Sequence, residues 1–72
     1  MVERADLLIE KLILRLQDTD PVVRRNAAGA LRLHGRRAVS AIPELAKLLD
    51  DADDTVRSEA RRALNRLTAS AA

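Results

Sequence analysis

The sequence predicts an all-α fold, an α-solenoid of four helices built as two copies of one helix–turn–helix unit. Three observations carry this. Ala, Leu, Arg, Lys and Glu, all strong helix formers, supply 42 of the 72 residues. Val, Ile and Thr supply only 11, and there is no Phe, Tyr or Trp, so strand formers are scarce. The third observation is an internal repeat. Displacing the chain by 33 positions aligns Ile9 with Ile42, Leu12 with Leu45, Leu16 with Leu49, Asp18 with Asp51 and Asp20 with Asp53. It also aligns Val23 with Val56, Arg24 with Arg57, Ala27 with Ala60, Ala30 with Ala63 and Leu31 with Leu64. The matched positions are apolar at helical spacing, with one polar cluster at a fixed place, as expected of one structural unit used twice.

The first helix is expected from about Glu3 to Gln17, with Ile9, Leu12, Ile13 and Leu16 on one face at i, i+3, i+4, i+7. Asp18-Thr19-Asp20-Pro21 ends it. Asp20 is a good N-cap and Pro21 suits the first helical position, where no N–H is needed. A second helix follows from Pro21 to His34, with Val23, Ala27, Ala30, Leu31 and His34 on its stripe, and Gly35 stops it. The third begins between Arg37 and Ile42, with Pro43 tolerable only in the first turn, and ends near Asp50. Asp53 caps a fourth helix from about Asp54 to Leu67, which turns Val56, Ala60, Ala63, Leu64 and Leu67 inward. The chain reads as a single domain over 1–72, with repeat one at about 3–35, repeat two at about 36–68 and a frayed tail at 69–72.

A period near 33 also suits ankyrin and tetratricopeptide repeats. The Thr-Pro-Leu-His run of the first and the aromatic positions of the second are both missing. The segments from Asp18 to Leu31 and from Asp51 to Leu64, with the linker from Gly35 to Leu45, resemble HEAT-like repeats in the short form of phycobilin-lyase-type proteins. The resemblance implies stacked helix pairs, with the second helices lining a ligand-facing surface. It also implies that Asp18, Asp20, Asp51, Asp53, Arg24 and Arg57 are structural, the turn aspartate and the arginine after valine tying neighbouring units together. It is specific for fold and unspecific for function.

Composition removes several function classes. Without cysteine there is no disulfide framework, thiol nucleophile or cysteine-bound zinc, which fits a cytoplasmic protein. Without aromatic residues nothing stacks on a base or cages a cation. No apolar run is long enough to span a membrane. Asp50, Asp51, Asp53 and Asp54 lack the glycine and distal glutamate of a calcium loop, and suit a helix N-terminus instead. His34, the one histidine, has no His-Glu partner pattern and reads as structural. No catalytic set, metal site or cofactor site is expected, and the chain is not read as an enzyme.

Charge is segregated along the chain, with net −2 over residues 1–20, +5 over 21–40, −4 over 41–54 and +3 over 55–72. The HEAT-like resemblance, with no catalytic set beside it, implies a protein-binding or assembly module. Its partner face is the second-helix surface of Val22, Arg25, Asn26, Gly29, Thr55, Ser58, Glu59 and Arg62. The alternative is a polyanion or nucleic-acid backbone surface made by Arg25, Arg32, Arg36, Arg37, Arg62 and Arg66. It ranks below, because Glu59 lies i, i+3 from Arg62 and the arginines suit a solvated, salt-bridged face. One end is unusually apolar: Leu7, Leu8 and Leu14 correspond to Ser40, Ala41 and Lys47 in unit two. A homodimer through the first helix, or another protein covering this end, would account for them.

Overall fold

A computed structural model describes residues 4–71. Among them the order is α1 (Arg4–Arg15), α2 (Pro21–His34), a 3₁₀ stretch (Gly35–Ala41), α3 (Ile42–Lys47), a second 3₁₀ turn (Leu48–Asp50) and α4 (Asp54–Ala71). No strand occurs among the described residues.

Both turns between paired helices are built alike, because the same residues close them. The Asp20 carboxylate accepts the Val22 backbone N–H at 2.9 Å, and Pro21 opens α2. The Asp53 carboxylate accepts the N–H groups of Thr55 at 2.8 Å and Val56 at 3.1 Å, and also the Thr55 hydroxyl. Each cap thus satisfies donors that the first turn leaves unpaired. Gly35 ends α2 at φ 60°, ψ −132°, and its N–H donates to the Arg32 carbonyl. That backbone state is open to glycine and strained for other residues.

The third helix departs from expectation. Only Ile42–Lys47 is α-helical, flanked by 3₁₀ geometry on both sides, so the third helix expected to reach Asp50 is a six-residue piece beside three full-length helices. Its start at Ile42 places Pro43 in the first turn. The 3₁₀ exit also moves a core position. The repeat pairs Leu16 with Leu49, yet Leu48 is 8% exposed and Leu49 is 39% exposed. Three residues per turn stack i over i+3, so Leu48 follows Leu45 inward and Leu49 is carried out. In α1 the tightening comes later: Gln17 and Asp18 donate to the Leu14 and Arg15 carbonyls, and α1 stops at Arg15 instead of Gln17. The frayed tail expected at 69–72 is helical as far as Ala71, residue 72 lying outside the described residues. No glycine or proline interrupts Thr68-Ala69-Ser70-Ala71, and alanine is the best helix former.

The core runs between the two units, where α2 packs along α4. Leu31, Ala28, Val56, Ala60, Ala63, Leu45 and Leu67 are fully buried. Alanine at 27, 28, 60 and 63 removes side-chain bulk from this contact. Gly29 removes more, since a Cβ there would lie 3.3 Å from a Glu59 carboxylate oxygen.

Candidate functional site

Among the described residues, three polar ties that join the units share a sequence separation of 27 residues. Gln17 donates to Glu44 at 3.2 Å. Arg24 grips Asp51 with two bonds, Nε at 2.8 Å and Nη2 at 3.1 Å. Arg32 Nε donates to Glu59 at 3.0 Å. The expectation that a turn aspartate and the arginine after valine link neighbouring units is met by Arg24 and Asp51. Sequence reasoning missed the ties of Gln17 and Arg32. A constant spacing between complementary polar residues was the available signal.

The Arg24–Asp51 tie is the most elaborate. Arg24 Nη1 also donates to the carbonyls of Asp18 at 2.7 Å and Thr19 at 3.1 Å, crossing its own turn. Asp51 in addition accepts the Asp53 N–H at 2.9 Å. The guanidinium bond, with the Asp53 N–H and the nearby charge helping, holds the Asp51 carboxyl below the usual carboxylate range. The same bond raises Arg24 further above its usual value. The Thr55 hydroxyl and the N–H of Val56 lower Asp53. These residues are fully engaged in closing and joining the turns. Arg57 repeats the self-turn bond, Nη1 to the Asp51 carbonyl at 2.6 Å, and turns Nη2 to Asp54 at 2.7 Å.

The proposed partner residues lie along the exposed side of α2 and α4. One shallow groove of about 510 Å³ is lined by Arg25, Asp54, Thr55, Ser58, Glu59 and Arg62. A neighbouring one of about 400 Å³ is lined by Arg25, Asn26, Gly29, Ala30, Arg32, Leu33 and Glu59. Seven of the eight expected residues are therefore brought together; Val22, 48% exposed, lines neither groove. Leu33, 79% exposed, was not singled out and adds an apolar element at this face.

The arginine strip is interrupted at its centre. Glu59, its side chain 16% exposed, holds Arg32 at 3.0 Å and Arg62 at 3.8 Å. Two of the six arginines thus meet a carboxylate of the same face. Arg36 and Arg37 are exposed on the 3₁₀ stretch and Arg66 on α4. His34 is half-buried, and among the described residues no three of His, Cys, Asp and Glu gather as metal ligands.

The leucine end divides in two. Leu7, Leu8 and Leu14 are 47%, 44% and 71% exposed. Their unit-two counterparts Ser40 and Lys47 are exposed, whereas Ala41, the counterpart of Leu8, is fully buried. Leu8 therefore occupies a packing position left uncovered, and Leu7 and Leu14 occupy an outer edge.

The model for HEAT repeats matches residues 9–72, both helix pairs included. The chain belongs to the HEAT-repeat family. HEAT repeats are generally protein-interaction scaffolds and typically non-catalytic. The match reaches HEAT repeats at large and does not single out the phycobilin-lyase type. No curated protein and no solved structure gives a significant match. Among the described residues no helix is long and apolar enough to cross a membrane.

Proposed function

We propose that this HEAT-repeat chain is a protein-binding scaffold whose ligand face is the α2–α4 surface of Val22, Arg25, Asn26, Gly29, Thr55, Ser58, Glu59 and Arg62. The observation that supports it is the pair of adjoining grooves shared by the two helices, with mixed charge and the exposed Leu33 beside them. A face with a carboxylate set among arginines suits a protein surface of both signs better than a uniformly anionic polymer. The test is a partner captured by the chain and then bound in purified form. Ser58→Arg with Arg62→Glu, both at exposed positions, should weaken that binding at least tenfold with helicity intact. Unchanged affinity overturns the proposed face. If the captured partner is a nucleic acid whose affinity falls steeply with salt, the polyanion reading through Arg25, Arg32, Arg36, Arg37, Arg62 and Arg66 replaces it.

A second reading, self-association at the unit-one end, is favoured by the exposure of Leu7, Leu8 and Leu14. A growth of mass with concentration in sedimentation supports it. A fully helical monomer at high micromolar concentration removes it.

A further inference from the structure

The common spacing of the three ties says what a second copy of the chain would meet. Unit two repeats unit one after 33 positions. A copy placed beyond unit two therefore offers its own unit one where unit two now stands. At such a joint Gln17, Arg24 and Arg32 are replaced by Asp50, Arg57 and Asn65 of one copy. Glu44, Asp51 and Glu59 are replaced by Lys11, Asp18 and Asn26 of the next. Every pair stays complementary: Asp50 with Lys11, Arg57 with Asp18, and two carboxamides, Asn65 with Asn26. In the first and third pairs both members differ from the internal tie, and they differ together.

We propose that copies of this chain stack head to tail, the unit-two end of one on the unit-one end of the next, continuing the solenoid. The proposal rests on the self-association reading and assigns it a geometry.

The receiving end has the shape for it. An open groove of about 420 Å³ there is lined by Leu12, Arg15, Val23, Asn26, Ala27 and Ala30. Val23 and Ala30 are half-buried, whereas the identical residues Val56 and Ala63 are fully buried where unit two meets unit one. Leu8 adds to this face. Asp18 is held as Asp51 is, its carboxylate accepting the Asp20 N–H at 2.8 Å, and it is exposed. On the delivering end Arg57 turns to Asp54, whose side chain is 82% exposed. An exposed pair of this kind is weak, so exchanging Asp54 for Asp18 costs little.

Two residues of the delivering end oppose the joint. Arg62 stands where unit one has Gly29, at which a Cβ would already lie 3.3 Å from the next unit's Glu59. Arg61 is the second and stands where unit one has Ala28, which is fully buried. Its charged end must be laid aside into water while its stem stays in the contact. The two arginines thus keep the wild-type joint weak. Because the two surfaces differ, the contact does not close on itself, and association continues past two copies.

Sedimentation of wild type, Arg61→Ala and Arg61→Ala with Ala30→Glu tests this. Arg61→Ala restores the unit-one residue at an exposed helix position, so folding is not at risk. Its mass should rise with concentration beyond a dimer, with association at least tenfold tighter than wild type. Ala30→Glu should return it to monomer. Mixing wild type with Arg61→Ala, Ala30→Glu should yield a 1:1 complex, because the first still receives and the second still delivers. A folded Arg61→Ala chain that stays monomeric at high micromolar concentration overturns the proposal. So does assembly that stops at a dimer and is broken by Leu7→Glu with Leu14→Glu but not by Ala30→Glu. That last result would leave self-association standing and place it on the outer leucine edge.

Discussion

Leu31 and Leu64 occupy the same position in the two repeats, yet they do not lie in the same surroundings. Leu31 is fully buried in the core, whereas Leu64 is only partly buried against it. Truncating Leu31 to alanine removes its apolar transfer energy and leaves a cavity walled on all sides, a loss of about 3–4 kcal/mol. Leu64→Ala gives up part of a burial worth about 1.5–3 kcal/mol in full, and water fills the space, so about 1 kcal/mol is lost. A chain of this size has about 3–5 kcal/mol of stability in all. Leu31→Ala should therefore stand at the edge of unfolding at room temperature. Leu64→Ala should melt only about 4–8 °C below wild type. Urea unfolding followed by far-UV circular dichroism, at low micromolar concentration so that copies stay apart, measures both. Equal losses for the two leucines would refute the reasoning, because they would mean that Leu64 is as covered as Leu31. At concentrations where copies stack, the Leu64→Ala loss should grow towards that of Leu31→Ala.

Two further outcomes follow from the turns. The folded-state pKa of Asp51 is lowered, so its contribution is present above the unfolded carboxylate range, near pH 4, and is lost as pH falls through the lowered value. The melting temperature should thus hold from neutral to about pH 5 and fall below about pH 4, and Asp51→Asn should lower the plateau and flatten the acid limb. A mutant acid limb parallel to wild type would show that Asp51 is not a principal source. Gly35→Ala meets no atom within 4 Å but must adopt φ 60°. A loss of about 1–3 kcal/mol is expected from backbone strain alone, and a neutral result in the same urea titration would mean that the linker can take another path.

Much of the molecule was legible in the residues. The apolar spacing placed α1, α2 and α4, and the caps at Asp20 and Asp53 and the stop at Gly35 marked boundaries, because these features act within one or two turns of backbone. The resemblance to HEAT-like repeats implied the tie between units that Arg24 and Asp51 make. The grouping of Arg25, Asn26, Gly29, Thr55, Ser58, Glu59 and Arg62 followed from placing two equivalent helices side by side. Other features depend on how one unit sits on the next, a rotation and shift that no local pattern encodes. That arrangement chose Leu48 over Leu49, since a linker with a buried Gly35, Ala38 and Ala41 and a 3₁₀ exit re-aimed the third helix. It buried Ala28, which lies off the predicted stripe of Val23, Ala27, Ala30, Leu31 and His34. It also turned Glu59 towards Arg32 as well as Arg62, dividing a basic strip that looked continuous along the chain. A helix in a solenoid has one face for its own partner and others for adjacent units. Periodicity within a helix reports the first, and only the stacked structure decides the rest.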